Sequence, residues 1–234
     1  MTELASLTWT EVADRARRGT VLAVPVGATE QHGLHLPMST DTDIAVALAL
    51  RLADQVAGIV VAPVVAFGSS GEHQGFPGTL SIGQDAVELL LVELVRSAAL
   101  TFPHVVLVSA HGGNAQPVVR AVRRLRREGR CVLAWAPRFG GDAHAGRTET
   151  SVMLALAPHN VRLDAAEAGN TDSIQSLLPR LQVHGLLGVT ANGVLGDPAG
   201  ANAEEGEWLL QRAGAELAGL VAGHAACRVF GGTG

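Results

Sequence analysis

Apolar and polar positions along the chain fall into blocks that switch between two periods. Residues 21–26 form a short β-branched apolar run closed by Gly27, the pattern of a strand buried on both faces. A polar loop, 27–42, leads into an alanine-rich apolar segment at 43–52 that is too long for a strand and predicts a helix. Strand-like runs recur at 59–65, 104–109 and 131–135, separated by helical patterns at 84–100 and from HGGN to about Glu128. A further helix is expected to begin near Thr148, and a last one to span 203–222. Ahead of them all, Thr8 and Glu11 have the spacing of a capping box for a short helix through Arg18, which Gly19 can close.

Strands alternating with helices of this length predict an α/β fold: a three-layer α/β/α sandwich with a mainly parallel central sheet. In such sheets ligands gather beyond the carboxyl ends of the strands. No internal repeat is visible, and 234 residues with 47% hydrophobic content suit one domain spanning 1–234, with only the glycine-rich tail 231–234 expected to fray.

Composition then removes function classes. The net charge of -5 lacks the basic footprint of a nucleic-acid binder. All 17 basic residues are arginine, so a Schiff-base lysine, a pyridoxal phosphate anchor and a P-loop lysine are excluded. Two cysteines, Cys131 and Cys227, are too few for a disulfide framework or an iron–sulfur cluster. With no leader-like segment and charges interrupting every long apolar stretch, a soluble cytoplasmic protein without membrane partners is expected.

Four polar segments follow the predicted strands. The densest, Glu30-Gln31-His32-Gly33-Leu34-His35 with Asp41 and Asp43 beyond it, puts Glu30 and His32 on one side of an extended segment, while Gly33 and Pro37 let the loop turn so that Asp41 can return. Taken alone, it could equally be a salt-bridged loop with Asp41 capping the next helix. The second is Ser69-Ser70-Gly71-Glu72-His73-Gln74-Gly75-Phe76-Pro77-Gly78-Thr79, readable as a turn-rich surface loop. The third, His111-Gly112-Gly113-Asn114, fits a tight turn at a strand end, and the fourth, Asp142 to Ser151, puts His144 on a loop and Glu149 in a first helical turn.

Together, and in this order, the segments resemble the motifs EQHGxHLP…D, EHxxFPGT, HGGN and HAGxxETS of the creatininase family of metal-dependent amidohydrolases, over roughly residues 8–160. The resemblance implies a creatininase-like fold and two divalent metal ions. Glu30, Asp41 and His111 would hold one ion, and His32 with the bridging Asp41 the second. Imidazole and carboxylate ligands suit Zn2+, Fe2+ or Mn2+. Creatininase takes a further ligand from a glutamate two positions after the histidine matching His111. Gly113 stands there, which counts against strict creatininase activity and leaves Glu149 to complete the second site.

Within the family, HAGRTETS, with Arg147 where many members carry glutamate, and the later run from Gly193 to Pro198 resemble a branch of peptidases in redox-cofactor biosynthesis. That branch removes a modified C-terminal valine–tyrosine dipeptide from a small ribosomally made, cross-linked precursor peptide. The expected chemistry is attack by metal-activated water. His144 would protonate the leaving nitrogen or steady the oxyanion, or else support Glu149 or Asp41 from behind, as His35 and Asp43 would. Glu72, His73 and Phe76 would line the substrate entrance. Alternatives are hydrolysis of a small cyclic amide, deformylation of a formamide, and a metal-stabilised binding protein without turnover. The resemblance also implies a homo-oligomer, with a hexamer suspected. The arginine-rich stretch 120–130 is expected to be a solvated face or to meet an acidic neighbouring subunit.

Overall fold

The computed structural model describes residues 3–229. Four strands, β1 (Val21–Val26), β2 (Ile59–Val61), β3 (His104–Ser109) and β4 (Val132–Trp135), pair in the order β2-β1-β3-β4, every neighbour parallel. Seven α-helices connect and cover them among the described residues: α1 (Trp9–Ala16), α2 (Thr40–Gln55), α3 (Gln84–Ala98), α4 (Ala115–Arg127), α5 (Arg147–Leu156), α6 (Ile174–His184) and α7 (Ala203–Val229).

The period of two in the strands sorts these helices into layers. Val21, Ala23, Ile59, Val61, Val106 and Val108 pack against Leu48 and Leu52 of α2, Met153 of α5 and Leu210 and Leu217 of α7. The alternate set, Leu22, Val24, Val26, Val60, Val105 and Leu107, packs against Val87 and Leu91 of α3, Val118 and Leu125 of α4, and Val12 of α1. This is a three-layer α/β/α architecture in which β1 is buried along its whole length. The capping box of α1 forms as the Thr8 and Glu11 spacing predicts.

Three departures from the sequence pattern have local causes. β2 stops at Val61 because Pro63 has no N–H to continue the ladder, although the N–H groups of Ala62 and Val65 still reach the carbonyls of Ala23 and Pro25. α2 starts at Thr40, so Asp41 lies in its first turn rather than in the preceding loop. α6 has no counterpart in the sequence pattern, since Pro179 sits inside it and an interior proline argues against a helix; Ser173 caps its start by accepting the Ser176 N–H. The arginine face of α4 is partly engaged, with Arg120 paired to Glu88 of α3. No helix among the described residues is long and apolar enough to cross a membrane, and the tail 231–234 lies outside the described residues.

Helices α2 and α4 leave the adjacent strands β1 and β3 toward opposite faces of the sheet. The crevice that forms at such a divergence lies at the carboxyl ends of these two strands. Its walls depend on the core beneath it. Leu48→Ala, which removes a fully buried side chain between α2 and the sheet, is expected to cost about 2–5 kcal/mol in a denaturant titration, and a change under about 0.5 kcal/mol would contradict this packing.

Candidate metal centre

Each polar segment projects from the carboxyl side of the sheet. Glu30 and His32 lie on the loop after β1, Glu72 and His73 on a single 3-10 turn (Gly71–His73) after β2, His111 directly after β3, and His144 and Glu149 on the loop after β4 and the first turn of α5. Asn114, from HGGN, draws three of these loops together: its amide donates to the Gly27 carbonyl at 2.9 Å and accepts the Ser69 N–H at 2.9 Å.

The resulting cluster is buried, with Glu30 and His32 at 0% exposure and Asp41 at 2%. The two Asp41 oxygens face different rings: Oδ1 lies 3.4 Å from His32 Nε2 and Oδ2 lies 3.1 Å from His111 Nδ1. Glu30 reaches His111 Nε2 and His73 Nε2, each at 3.2 Å. Glu149 Oε2 lies 4.0 Å from His32 Nε2 and 3.9 Å from His144 Nδ1. A left-handed φ of 52° at Ala145, rare outside glycine, turns the chain so that the Ala145 N–H donates to Glu149 Oε2 at 2.6 Å.

Both Glu30 oxygens, Asp41 Oδ2 and His32 Nε2 lack any hydrogen-bond partner. Buried polar atoms left bare are costly, and lone pairs converging on one another call for a cation between them. Tetrahedral ligands at about 2.0–2.1 Å from zinc stand about 3.3 Å apart, close to the separations around Asp41. The far ring nitrogens follow the habit of metal-bound histidine. His32 Nδ1–H donates to the Glu30 carbonyl at 3.1 Å and His111 Nε2–H to the Ser69 carbonyl at 3.0 Å, leaving the opposite nitrogen of each ring open toward Asp41. Three overlapping groups of side chains here have ligand atoms close enough to hold an ion: Glu30, Asp41 and His111; His32, His144 and Glu149; and Glu30, His73 and His144.

Protonation has the same cause. Burial, then the Asp41 charge, pushes Glu30 up to about 8. Burial opposes charge on His32 and His111, yet the Asp41 carboxylate outweighs it and raises them to about 9 and about 10. Burial alone would also raise Asp41, but those two rings hold it well below the usual carboxylate range. Burial raises Glu149 and lowers His144 and His73, the last to about 3.

The remaining residues take up other positions. His35 is buried and hydrogen-bonded to Thr150 Oγ1 at 2.8 Å, tying the first loop to α5, while Asp43 accepts the Ser39 hydroxyl. Glu72 stands at the mouth, with Oε1 3.8 Å from His111 Nε2. A side chain at Gly113 has no room, because a Cβ there would lie 2.2 Å from the Ser69 carbonyl and 2.6 Å from Glu72 Oε1. Phe76, expected at the entrance, instead packs with Leu177, Leu186 and Leu195 beneath it, since its ring finds an apolar site there. Arg147 also points away, pairing with Glu205 of α7 at 2.9 Å.

Two features complete the site: α6, which the sequence pattern does not predict, and the run 193–198, which it marks only as a resemblance to one branch of the family. The wall facing the cluster across a cavity of about 900 Å³ comes from α6, through Ile174, Leu178 and Leu181. The segment from Gly193 to Gly196 closes the opposite side, with Leu195 bridged to His144 and Gly196 so close to Asp142 that a Cβ would meet it at 2.4 Å.

A family model described as creatinine amidohydrolase matches residues 5–221. The chain belongs to the creatininase family and has the fold and buried ligand cluster of a metal-dependent amidohydrolase. It is 50% identical over 194 residues to the mycofactocin precursor peptide peptidase of Mycolicibacterium smegmatis, covering 80% of this chain and 78% of that protein. It is 31% identical to the creatinine amidohydrolase of Pseudomonas putida, covering 89% and 91% of the two chains. A solved manganese form of creatininase superposes with a TM-score of 0.80 at 27% identity, covering 94% of this chain and 97% of that one.

At pH 7 the metal-free cluster holds protons on His32, His111 and Glu30, with which a divalent ion must compete. Metal binding at pH 7 is therefore expected to release protons, and affinity to rise with pH up to about 10. Calorimetry in buffers of different protonation enthalpy reads this directly, and a binding heat independent of the buffer would contradict it.

Proposed function

We propose that the whole chain, 1–234, works as one dinuclear metallohydrolase domain that removes the modified C-terminal valine–tyrosine dipeptide from the mycofactocin precursor peptide in the cytoplasm. The observation that carries the substrate is the 50% identity to a relative of that name, in a chain that keeps the ligand cluster intact. Glu30, Asp41 and His111 would hold one ion and His32, Asp41 and Glu149 the other, with Asp41 bridging through its two oxygens, and His144 is close enough to Glu149 to contribute. Fe2+ or Zn2+ fits this donor set, and Mn2+ is the third candidate.

The ions would supply Lewis acidity and lower the pKa of water at the site. The chain does the rest. Glu30 and Asp41 are themselves almost out of contact with bulk water, which strengthens the electrostatic contacts they make. His73 and His144 line the same cavity and can meet the scissile amide, while Glu72 stands at the mouth. Ile174, Leu178 and Leu181 of α6 offer an apolar wall to a decarboxylated tyrosine-derived group, with Phe76 supporting that wall from below. No lysine, serine elbow or cysteine is required as a nucleophile. Exposed Trp9, Leu100 and Trp208 support a homo-oligomer, with a hexamer proposed.

Metal-reconstituted protein incubated with the cross-linked precursor peptide is expected to release the modified dipeptide, detected by mass spectrometry, and to leave creatinine intact. Glu30→Ala should lose at least about 10²-fold in rate through loss of metal. An intact peptide in the wild-type reaction would overturn the peptidase reading, and turnover of creatinine would replace it.

A further inference from the structure

Gln31 stands between the two cavity histidines, and the groups around it leave its amide one orientation. Its Oε1 accepts the Gly33 N–H at 2.9 Å, and its Nε2 lies 3.2 Å from the Gly193 carbonyl. Turning the amide over would set oxygen against oxygen at Gly193 and N–H against N–H at Gly33. This approach depends on Gly193, where φ is +80° and a Cβ would fall 1.9 Å from Oε1.

The amide nitrogen has two protons and three neighbours: the Gly193 carbonyl, His73 Nδ1 at 3.0 Å and His144 Nε2 at 3.2 Å. His144 Nε2 also lies 2.9 Å from the main-chain carbonyl of Gln31, which can only accept, so that nitrogen carries a proton and cannot take another. The second amide proton therefore goes to His73 Nδ1. In the neutral ring the His73 proton is then on Nε2, which lies 3.2 Å from Glu30 Oε1 without hydrogen-bonding to it, in a ring that lines the cavity. His144 is left with a bare Nδ1 facing Glu149.

We infer that Gln31 is a positioning residue that fixes the two histidines in opposite tautomers, so that His73 presents an N–H donor to the carbonyl oxygen of the bound amide and His144 presents a lone pair to the metal cluster. This assigns the donor role to His73 rather than His144, and it rules out the trio Glu30, His73 and His144 as a further ion site, because His73 Nε2 has no lone pair to give. The contact with substrate rests on the amidohydrolase reading above, whereas the tautomers rest on the hydrogen bonds alone.

The test is ¹⁵N NMR of the histidine rings in the full chain, metal-free and zinc-loaded, with His73→Gln identifying the His73 signals. The expected wild-type spectrum has His73 protonated at Nε2 and bare at Nδ1. In Gln31→Glu, a carboxylate acceptor faces Nδ1 and the proton moves there. That variant should keep its zinc content and its KM for the precursor peptide while kcat falls on the order of 10²-fold, the loss typical of one missing oxyanion donor. Gln31→Asn, which keeps an amide, is expected to recover part of the rate. A wild-type His73 protonated at Nδ1 would overturn the inference even if no variant folds. A moved proton with unchanged kcat would overturn the donor role. If wild type fails to cleave the peptide, the peptidase reading falls, while the spectrum still decides the tautomers.

Discussion

Two carboxylates with almost no exposure, Glu30 and Asp41, converge on the same few ångströms of buried space, and neither Glu30 oxygen has a hydrogen-bond partner. Taking a carboxylate out of water costs several kcal/mol even after relaxation, and two of them repel each other besides. Asp41 offsets this by facing one ring with each oxygen. The residual demand for positive charge is met by protons on His32 and His111 in the metal-free chain and by divalent ions in a loaded one. Ligand geometry, ring protonation and metal affinity are in this sense consequences of a single constraint.

Holding that arrangement requires loops that do not move, and the fold supplies them through side chains with no part in the chemistry. Asn114 links the loops after β1 and β2 to the end of β3. Thr42 Oγ1 donates to the Ala28 carbonyl, and His35 ties the first loop to α5 through Thr150. Close approach of backbone does the rest, at Gly113 under Glu72 and at Gly193 against Gln31. Gly113 thereby gains a packing explanation: the space a family glutamate would enter from there is already filled by the Ser69 carbonyl and the Glu72 carboxylate. The parallel sheet below is buried on both faces and gives every one of these loops a fixed origin.

The cavity has two unlike halves. One is the charged cluster at the carboxyl ends of β1 and β3. The other is α6 with the 3-10 turn that follows it, which line the cavity with apolar side chains. Arg147, a marker of the branch in sequence, contributes to neither half; it fastens the start of α5 to α7, whose Glu205 also accepts the Ser151 hydroxyl.

The sequence by itself determined the layered α/β fold, because short continuous apolar runs alternating with helical segments are local patterns that suit a parallel sheet covered on both faces. It also determined which side chains could hold metal, since Glu30, His32, Asp41, His111 and Glu149 stand in motifs whose order is itself informative. Only the tertiary structure decided how they divide the work. That Asp41 enters α2 and faces two rings, that Phe76 turns into a small core, and that Pro179 lies inside a helix depend on contacts between segments far apart in the chain. The same holds for Gln31. Nothing local marks it as more than a polar loop residue, and its hold over His73 and His144 arises from partners 42, 113 and 162 positions away, brought within hydrogen-bond reach by the packing of the sheet's carboxyl-end loops.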